Sequence, residues 1–146
     1  MLIDGRVPAD LTYFLAKTDP ETYSVEQLER DGQTQWDGVR NAQAVRAIRD
    51  MKSGDRVFIY HSMGDAAIVG VADVVGDGRD DPGNSKLAVA DFRFRGRIEP
   101  PVTLREIKES GLFEDWALVR QSRLSTMHAP ANFVRWIKSK RAKASI

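Results

Sequence analysis

Three strand-like segments between residues 56 and 95 constrain the fold of this chain more than any other feature. Residues 56–61 place apolar side chains on both faces of a strand, and residues 66–75 form a nearly continuous apolar run. Residues 87–95 alternate apolar with charged side chains, which is typical of an antiparallel strand with one exposed face. Gly70 interrupts the second segment and predicts a bulge or bend. We therefore expect a mostly antiparallel sheet that curls.

Helix signals surround these strands. Ser24 with Gln27 and Thr103 with Glu106 have the spacing of capping boxes, which mark helix starts. Residues 42–51 repeat apolar side chains at helical spacing, with Ala42, Val45, Ile48 and Met51 expected to face the core. Pro130 can open a last helix. Helices between and around a sheet predict an α+β fold.

The remaining segments complete a single-domain interpretation. We expect a short strand over residues 12–16 and loops over residues 33–40 and 76–86, and we expect Pro100 and Pro101 to end the sheet. Residues 1–11 are predicted to be a loose leader, and residues 138–146 a basic, frayed tail that serves solubility or attracts phosphates non-specifically. Neither a repeat nor a shift in composition divides residues 1–146.

Composition excludes several classes of function. The chain has 146 residues, 42% of them hydrophobic, which suits one globular domain. Its net charge of +1 argues against a protein that coats nucleic acid by charge alone. The absence of cysteine excludes disulfides, thiolate metal sites and a cysteine nucleophile. Without a signal peptide or a long apolar run in the sequence, we expect a cytoplasmic protein.

Nothing in the sequence assembles an acid, a base and a nucleophile. His61 and His128 lack partners at metal-ligand spacing. His61 and Ser62 are neighbours at a strand end, so their side chains point to opposite faces and do not form a dyad. No glycine-rich phosphate loop is present. We therefore interpret the chain as a binding module with no metal, no cofactor and no catalytic residues.

Residues 36–41 read Trp-Asp-Gly-Val-Arg-Asn and carry more chemistry than a solvated loop needs. Gly38 lets the backbone take a positive φ or approach a ligand closely. Arg40 offers five donors in a fixed geometry, and Asn41 can pair with a planar heterocycle or cap the next helix. A flat aromatic ring beside such groups suits a nucleobase pocket. The alternative is that Trp36 is a packing plug.

Three other basic side chains each have two interpretations. Lys17 follows the first predicted strand and is either a surface lysine or a side chain that points over the strand end into a site. Arg46 and Arg49 lie off the apolar stripe of their helix and are either solvated or phosphate contacts. In the second interpretation they form one basic ridge with Arg40, next to the unpaired N–H groups of the helix start, which attract anions.

Five segments together resemble the EVE domain family of the PUA-like superfamily. They are residues 13–21, 34–44, 51–62, 68–75 and 123–127, and the resemblance extends from about residue 12 to 137. It implies a pseudo-barrel of mostly antiparallel strands flanked by helices, close to the PUA and YTH folds. It also implies a pocket for a modified base, most often a modified cytosine, in DNA or RNA.

The resemblance assigns roles to particular residues, with Trp36 as the aromatic wall of the pocket. The other carried-over positions are Lys17 and Thr18 at the pocket edge, Arg40 and Asn41 on the backbone or base, Tyr60, His61 and Ser62 on the far side, and Leu124, Ser125 and Met127 closing it. Base binding would require extrusion of one base into the pocket.

This chain departs from the family pattern in ways that bear on the ligand. Thr18 and Asp19 replace a common Ser and Glu, and Ala42 and Leu87 stand where the family often has aromatic residues. A lost aromatic wall could cost about 1–3 kcal/mol of stacking. The leading hypothesis is a monomeric, non-catalytic reader of modified nucleic acid. The alternatives are a pocket for a free nucleoside or nucleotide, which the near-neutral charge favours, and an enzyme that uses His61 as a base.

Overall fold

The computed structural model describes residues 11–146, so all of the predicted leader except Leu11 lies outside the described residues. This part of the chain forms six strands and five helices. The strands are β1 (Tyr13–Thr18), β2 (Gln33–Trp36), β3 (Arg56–His61), β4 (Ala67–Asp81), β5 (Asn84–Thr103) and β6 (Thr126–Ala129). The helices are α1 (Val25–Asp31), α2 (Ala42–Asp50), α3 (Leu104–Glu109), α4 (Ala117–Arg120) and α5 (Ala131–Lys140).

The strands form one open sheet in the order β2-β5-β4-β3-β1-β6. β1 and β3 run parallel because α1, β2 and α2 intervene between them, and the other four pairings are antiparallel. The predicted α+β class with a mostly antiparallel sheet is confirmed.

The sheet curls around α2. This helix contacts β4 and β5 near one end of the strand order and β6 at the other end, which requires the two edges to approach each other. Register shifts beside Gly70 in β4 and between Ile59 and Tyr60 in β3 supply bends, as the glycine predicted. Helix α1 crosses β4 at the same point, where a Cβ on Gly70 would lie 2.8 Å from Val25 Cγ2.

The helix starts follow the predicted caps. Ser24 and Gln27 form a complete capping box, and the Thr103 hydroxyl accepts a hydrogen bond from the Glu106 N–H. Asn41 caps α2 by accepting from two backbone N–H groups. The prediction that Ala42 faces the core is wrong, because the buried stripe of α2 begins at Ala44.

Parts of two predicted loops belong to the sheet instead. Residues 33–36 form β2 on the free edge of β5, and residues 76–86 form the twisted outer arm of the β4–β5 hairpin. Their polar composition reflects exposure at the sheet edge and not an absence of strand pairing. Strand β6 also lies within a segment whose mixed sequence carried no strand pattern.

The predicted sheet end at Pro100 and Pro101 is wrong as well. β5 continues to Thr103, and Val102 resumes pairing with Ile68 of β4. The prolines lie in a bulge between two paired positions, where no ladder N–H is needed. Their carbonyl oxygens accept hydrogen bonds from Arg141.

The C-terminal segment is packed, which corrects the prediction of a frayed basic tail. Helix α5 runs to Lys140, and the Ile146 side chain is buried. The Ile146 and Ser145 carbonyl oxygens accept hydrogen bonds from Arg56 and Arg95, respectively. These contacts fix the chain end against β3 and β5.

The core fills the space between the curled sheet and the helices, with Phe14, Phe58, Phe92 and Phe133 among its largest fully buried side chains. No helix in residues 11–146 is both long and apolar enough to cross a membrane.

Candidate functional site

A cavity of about 500 Å³ opens where the end of β1 approaches the free edge strand β2. β1 contributes its last residues, the turn before α1 and the loop before α2 contribute the sides, and Ser125 before β6 closes one end. The lining residues are Lys17, Thr18, Thr22, Tyr23, Thr34, Gln35, Trp36, Asp37, Gly38, Val39, Arg40 and Ser125.

Trp36 ends β2 and is held from behind. Its indole stacks on the buried ring of Phe92, with centroids 5.0 Å apart and an interplanar angle of 29°. Trp36 pairs with Ala90 of β5 in the sheet register, which places Phe92 two residues further along the same strand. The side chain is 8% exposed, so the part that lines the cavity belongs to a ring whose orientation is fixed by packing. Trp36 is thus both a packing residue and a wall.

Tyr23 supplies a second aromatic wall, at right angles to the first. Its ring centroid lies 6.1 Å from that of Trp36, with an interplanar angle of 82°. The Tyr23 hydroxyl donates a hydrogen bond of 2.8 Å to Asp31 at the end of α1. Burial, followed by the hydrogen bond to Asp31, raises the pKa of Tyr23, so the phenol stays protonated at neutral pH.

Lys17 places a positive charge at the cavity without an ion-pair partner in residues 11–146. Its Nζ donates to the Ser122 carbonyl oxygen at 3.0 Å and lies 5.5 Å from the ring centroid of Tyr60. Burial lowers the pKa of the Lys17 ammonium. An anionic ligand group would supply the missing countercharge.

Thr18, His61 and Ser62 hold the cavity edge in place. The Thr18 hydroxyl donates to the Tyr23 carbonyl oxygen at 2.8 Å, and the Ser62 N–H donates to the Thr18 carbonyl oxygen at 3.0 Å. His61 Nε2 accepts the Val25 N–H at 3.1 Å and so binds the first turn of α1. Of these three predicted site residues, Thr18 lines the cavity, and His61 and Ser62 do not.

The loop after β2 offers two charged side chains of opposite sign. Gly38 adopts φ 76°, which is one of the two alternatives that the sequence offered for this position. Asp37 and Arg40 both line the cavity and are exposed. Among the described residues, neither has a side-chain hydrogen bond or an ion pair. A carboxylate accepts and a guanidinium donates, so the pair can contact complementary groups of one ligand.

Several predicted site residues lie elsewhere. Asn41 is occupied as the α2 cap, where its side chain accepts from the Gln43 and Ala44 N–H groups, and it does not line the cavity. The Tyr60 ring is buried beneath Lys17, and burial raises the pKa of Tyr60.

Leu124 and Met127 were expected to close the base pocket, and neither lines the cavity beside Trp36. Both line a second cavity of about 250 Å³ between α2 and β6, together with Arg46. Arg49 is also removed from the phosphate candidates by its contacts, because its guanidinium pairs with Asp80 and donates to two carbonyl oxygens of the hairpin arm.

Sequence reasoning missed Tyr23, Thr34, Gln35 and Asp37 as lining residues. Tyr23 directly precedes the capping box of α1 and was not among the predicted site residues, and residues 33–35 were assigned to a loop. The alternation of exposed Gln33 and Gln35 with half-buried Thr34 and buried Trp36 is the strand pattern that could have identified β2.

The site has the parts of a pocket for a planar ligand. It combines two aromatic rings with one acidic and two basic side chains, and its volume falls in the range of small-molecule sites. Within residues 11–146, no group of three or more His, Asp or Glu side chains could hold a metal ion.

A family model described as "EVE domain" matches residues 12–140. The chain therefore belongs to the EVE domain family. Thymocyte nuclear protein 1 of Rattus norvegicus is 31% identical over 124 residues, which cover 66% of this chain and 55% of the rat protein. The chain thus spans little more than half the length of that relative.

Solved structures show the same fold. A protein from Agrobacterium tumefaciens superposes with a TM-score of 0.86 and 30% identity, over 92% of this chain and 96% of that one. The human THYN1 protein in complex with 5-methylcytosine-containing DNA superposes with a TM-score of 0.82 and 24% identity, over 90% of this chain and 98% of that one.

Proposed function

We propose that this protein binds a modified base of a nucleic acid, and that the base is extruded from its strand into the cavity beside Trp36. The first candidate for this base is a C5-modified cytosine. The observation that carries the proposal is the pair of perpendicular rings of Trp36 and Tyr23 in a cavity that also contains Asp37, Lys17 and Arg40.

The two rings account for affinity. A base that lies on the exposed part of Trp36 would meet the Tyr23 ring at its edge, so one face and one edge of the ligand are constrained. Stacking on an aromatic side chain contributes about 1–3 kcal/mol per base and tolerates any base. The Tyr23 ring supplies aromatic surface that Leu87, in place of a family aromatic residue, does not.

The polar groups account for selection. Asp37 has acceptors and no donor when ionised, and carboxylates accept from the exocyclic amino group of cytosine. Lys17 and Arg40 suit the phosphates on either side of the extruded nucleotide. A C5-methyl group adds about 0.8 kcal/mol if fully buried, so we expect about fourfold discrimination from the methyl group alone.

The choice of modified cytosine is supported by the human THYN1 protein, whose structure contains 5-methylcytosine DNA and shares this fold. The proposal includes nucleic acid, either DNA or RNA, as the ligand. It also includes extrusion of the base, the absence of catalysis and a monomeric state. A cytoplasmic location belongs to it too, although the rat relative is named as a nuclear protein.

Binding is tested with fluorescently labelled oligonucleotides that differ at one position, where they carry 5-methylcytosine, cytosine or thymine. Fluorescence anisotropy titrations on single strands, duplexes and RNA give the dissociation constants. We expect 5-methylcytosine to bind most tightly and Trp36→Ala to weaken binding by about 1–3 kcal/mol. Trp136→Ala is the matched control, because Trp136 packs in a separate aromatic cluster with Phe113 and Phe133.

Thermal unfolding of both variants shows whether each remains folded. Two results together would contradict the proposal, provided that both proteins are folded. The wild type would bind all three oligonucleotides with equal affinity, and Trp36→Ala would bind them as the wild type does. Binding of free nucleoside with no dependence on salt, and no binding of oligonucleotides, favours the small-metabolite alternative.

A further inference from the structure

We propose that the second cavity, between α2 and β6, holds the nucleotide next to the extruded base on the same strand. This inference rests on the proposed function, since it adds a neighbouring subsite to the base cavity. Such a subsite would make affinity depend on the identity of the flanking nucleotide and on whether it lies on the 5′ or the 3′ side of the extruded base.

The second cavity has a volume of about 250 Å³, and its lining continues that of the first along the chain. Ser125 lines the base cavity and Leu124, its chain neighbour, lines the second. On the other side, Arg40 lines the first cavity, while Gln43 and Arg46 line the second. The two linings are thus consecutive along the chain at two places, residues 124–125 and residues 40–43, which suits adjacent nucleotides of one strand.

The walls of the second cavity suit the face of a base. Ala47 and Ala117 leave space, and Leu124 and Met127 supply apolar surface. Apolar and polarizable side chains accept any base face. A phosphate or a sugar alone would gain little from such walls.

The rim carries polar groups that suit a base edge and a phosphate. Arg46 is exposed and has no ion-pair partner among residues 11–146, and Gln43 offers a side-chain amide at the same rim. Asp50 and His128 also line this cavity, and their side chains contact each other, with Oδ2 3.0 Å from Nε2. Arg46 is thus available to contact the phosphate that joins the two nucleotides.

The far end of the cavity is fixed before any ligand arrives. The Trp116 indole N–H donates to the His128 carbonyl oxygen at 2.8 Å, and β6 pairs with β1. Met127 is buried beside these contacts. A cavity held open by its own framework supports binding without a cost of rearrangement.

The test uses short ligands measured by calorimetry at constant salt. They are 5-methyl-deoxycytidine monophosphate, dinucleotides that extend it on the 5′ or on the 3′ side, and the same dinucleotides with an abasic spacer as the added unit. We expect one polarity of dinucleotide to bind at least tenfold more tightly than the mononucleotide. The abasic version should lose most of that gain and keep the part due to phosphate.

Variants separate the contributions. Ala47→Met places a longer side chain in the second cavity and should abolish the gain while leaving mononucleotide affinity unchanged. Ala131→Met, at the exposed first residue of α5, is the matched control and should keep the gain. Arg46→Gln should remove the phosphate share, whereas Arg135→Gln, an exposed arginine on α5, should not. If Ala47→Met does not fold, Gln43→Ala tests the same cavity from its exposed rim.

Each outcome decides the question. A gain that depends on polarity and disappears in Ala47→Met or falls in Gln43→Ala supports the subsite. Mononucleotide binding without a gain in either polarity overturns the subsite and leaves the proposed function standing. A gain that survives every cavity variant also overturns it. If mononucleotide and dinucleotides all fail to bind, both the subsite and the proposed function are overturned.

Discussion

The Trp36 indole lies stacked on Phe92, so the wall of the candidate site is fixed by a residue with no access to the ligand. Phe92 is fully buried at the centre of β5, and Trp36 ends the short edge strand β2. The rigidity of the wall thus originates in the core of the sheet.

Replacing Phe92 should therefore affect binding at a distance. Phe92→Leu leaves a gap behind Trp36, and we expect it to cost about 1–2 kcal/mol of stability and to weaken base binding as the indole gains freedom. Calorimetric titration together with chemical unfolding measures both effects. Phe133→Leu is the matched control, since it removes the same atoms from a different aromatic cluster. Equal losses of affinity in the two variants would show that general loosening, and not the Trp36 contact, is responsible.

Asp37 should decide between cytosine and thymine. In Asp37→Asn, the side chain gains a donor that can pair with the O4 atom of thymine, so we expect the preference for 5-methylcytosine over thymine to fall severalfold. Because thymine also carries a C5-methyl group, competition between these two bases isolates the amino group. Asp31→Asn is a control acidic residue that contacts Tyr23 outside the cavity. An unchanged preference in Asp37→Asn would remove Asp37 from base recognition.

Gly78 should tolerate no side chain. A Cβ on Gly78 would overlap the carbonyl oxygen of Ile48 at the end of α2. We expect Gly78→Ala to destabilise the protein by about 1–3 kcal/mol, because the hairpin arm must move away from the helix. Gly83→Ala is the matched control in the same arm, where the nearest atom to an added Cβ is Asp81 Oδ1 at 3.5 Å. Similar unfolding midpoints for the two variants would contradict the close packing of α2 on β4.

The free energy of unfolding should decrease as the pH decreases below about 6.5, because of the protonation of His61. Burial lowers the pKa of His61 below its usual 6.5; Arg97 adds to this effect and Glu26 opposes it. Just below pH 6.5, His61 is therefore protonated in a larger fraction of unfolded chains than of folded chains. This contribution to stability is complete above about pH 6.5 and is lost as the pH falls towards the pKa of the folded state.

Urea unfolding between pH 5 and 8 measures this effect. His61→Gln keeps an acceptor for the Val25 N–H without a titrating ring, so we expect it to flatten the slope in this window. The low pKa of Glu26, caused first by its own backbone hydrogen bond, affects stability only nearer its usual value of 4.5. A variant that keeps the wild-type slope would assign the pH dependence to another group.

Local signals in the sequence predicted much of the fold. Ser24, Gln27 and Asn41 are neighbours of the groups that they cap, so spacing alone identified their helices. Strand β2 was missed because its pairing with β5 is non-local, and the prolines of β5 were misjudged because a bulge accommodates them.

The candidate site was predictable where motif and geometry coincide. Trp36, Arg40 and Lys17 belong to segments that the fold brings together at one cavity. Leu124 and Met127 are close in sequence to Ser125, yet they lie in a neighbouring cavity. Sequence distance could not distinguish the two, because the division depends on how β6 approaches α2.

The most direct test of the central claim is the position of the C5-methyl group in the complex. A saturated complex with an oligonucleotide that carries a ¹³C-labelled 5-methylcytosine methyl group would be examined by NMR for nuclear Overhauser effects to assigned aromatic protons. We predict contacts from the methyl group to the rings of Trp36 or Tyr23. Contacts to Trp116 or Trp136 instead, or no contact to the protein in a fully bound complex, would contradict the account.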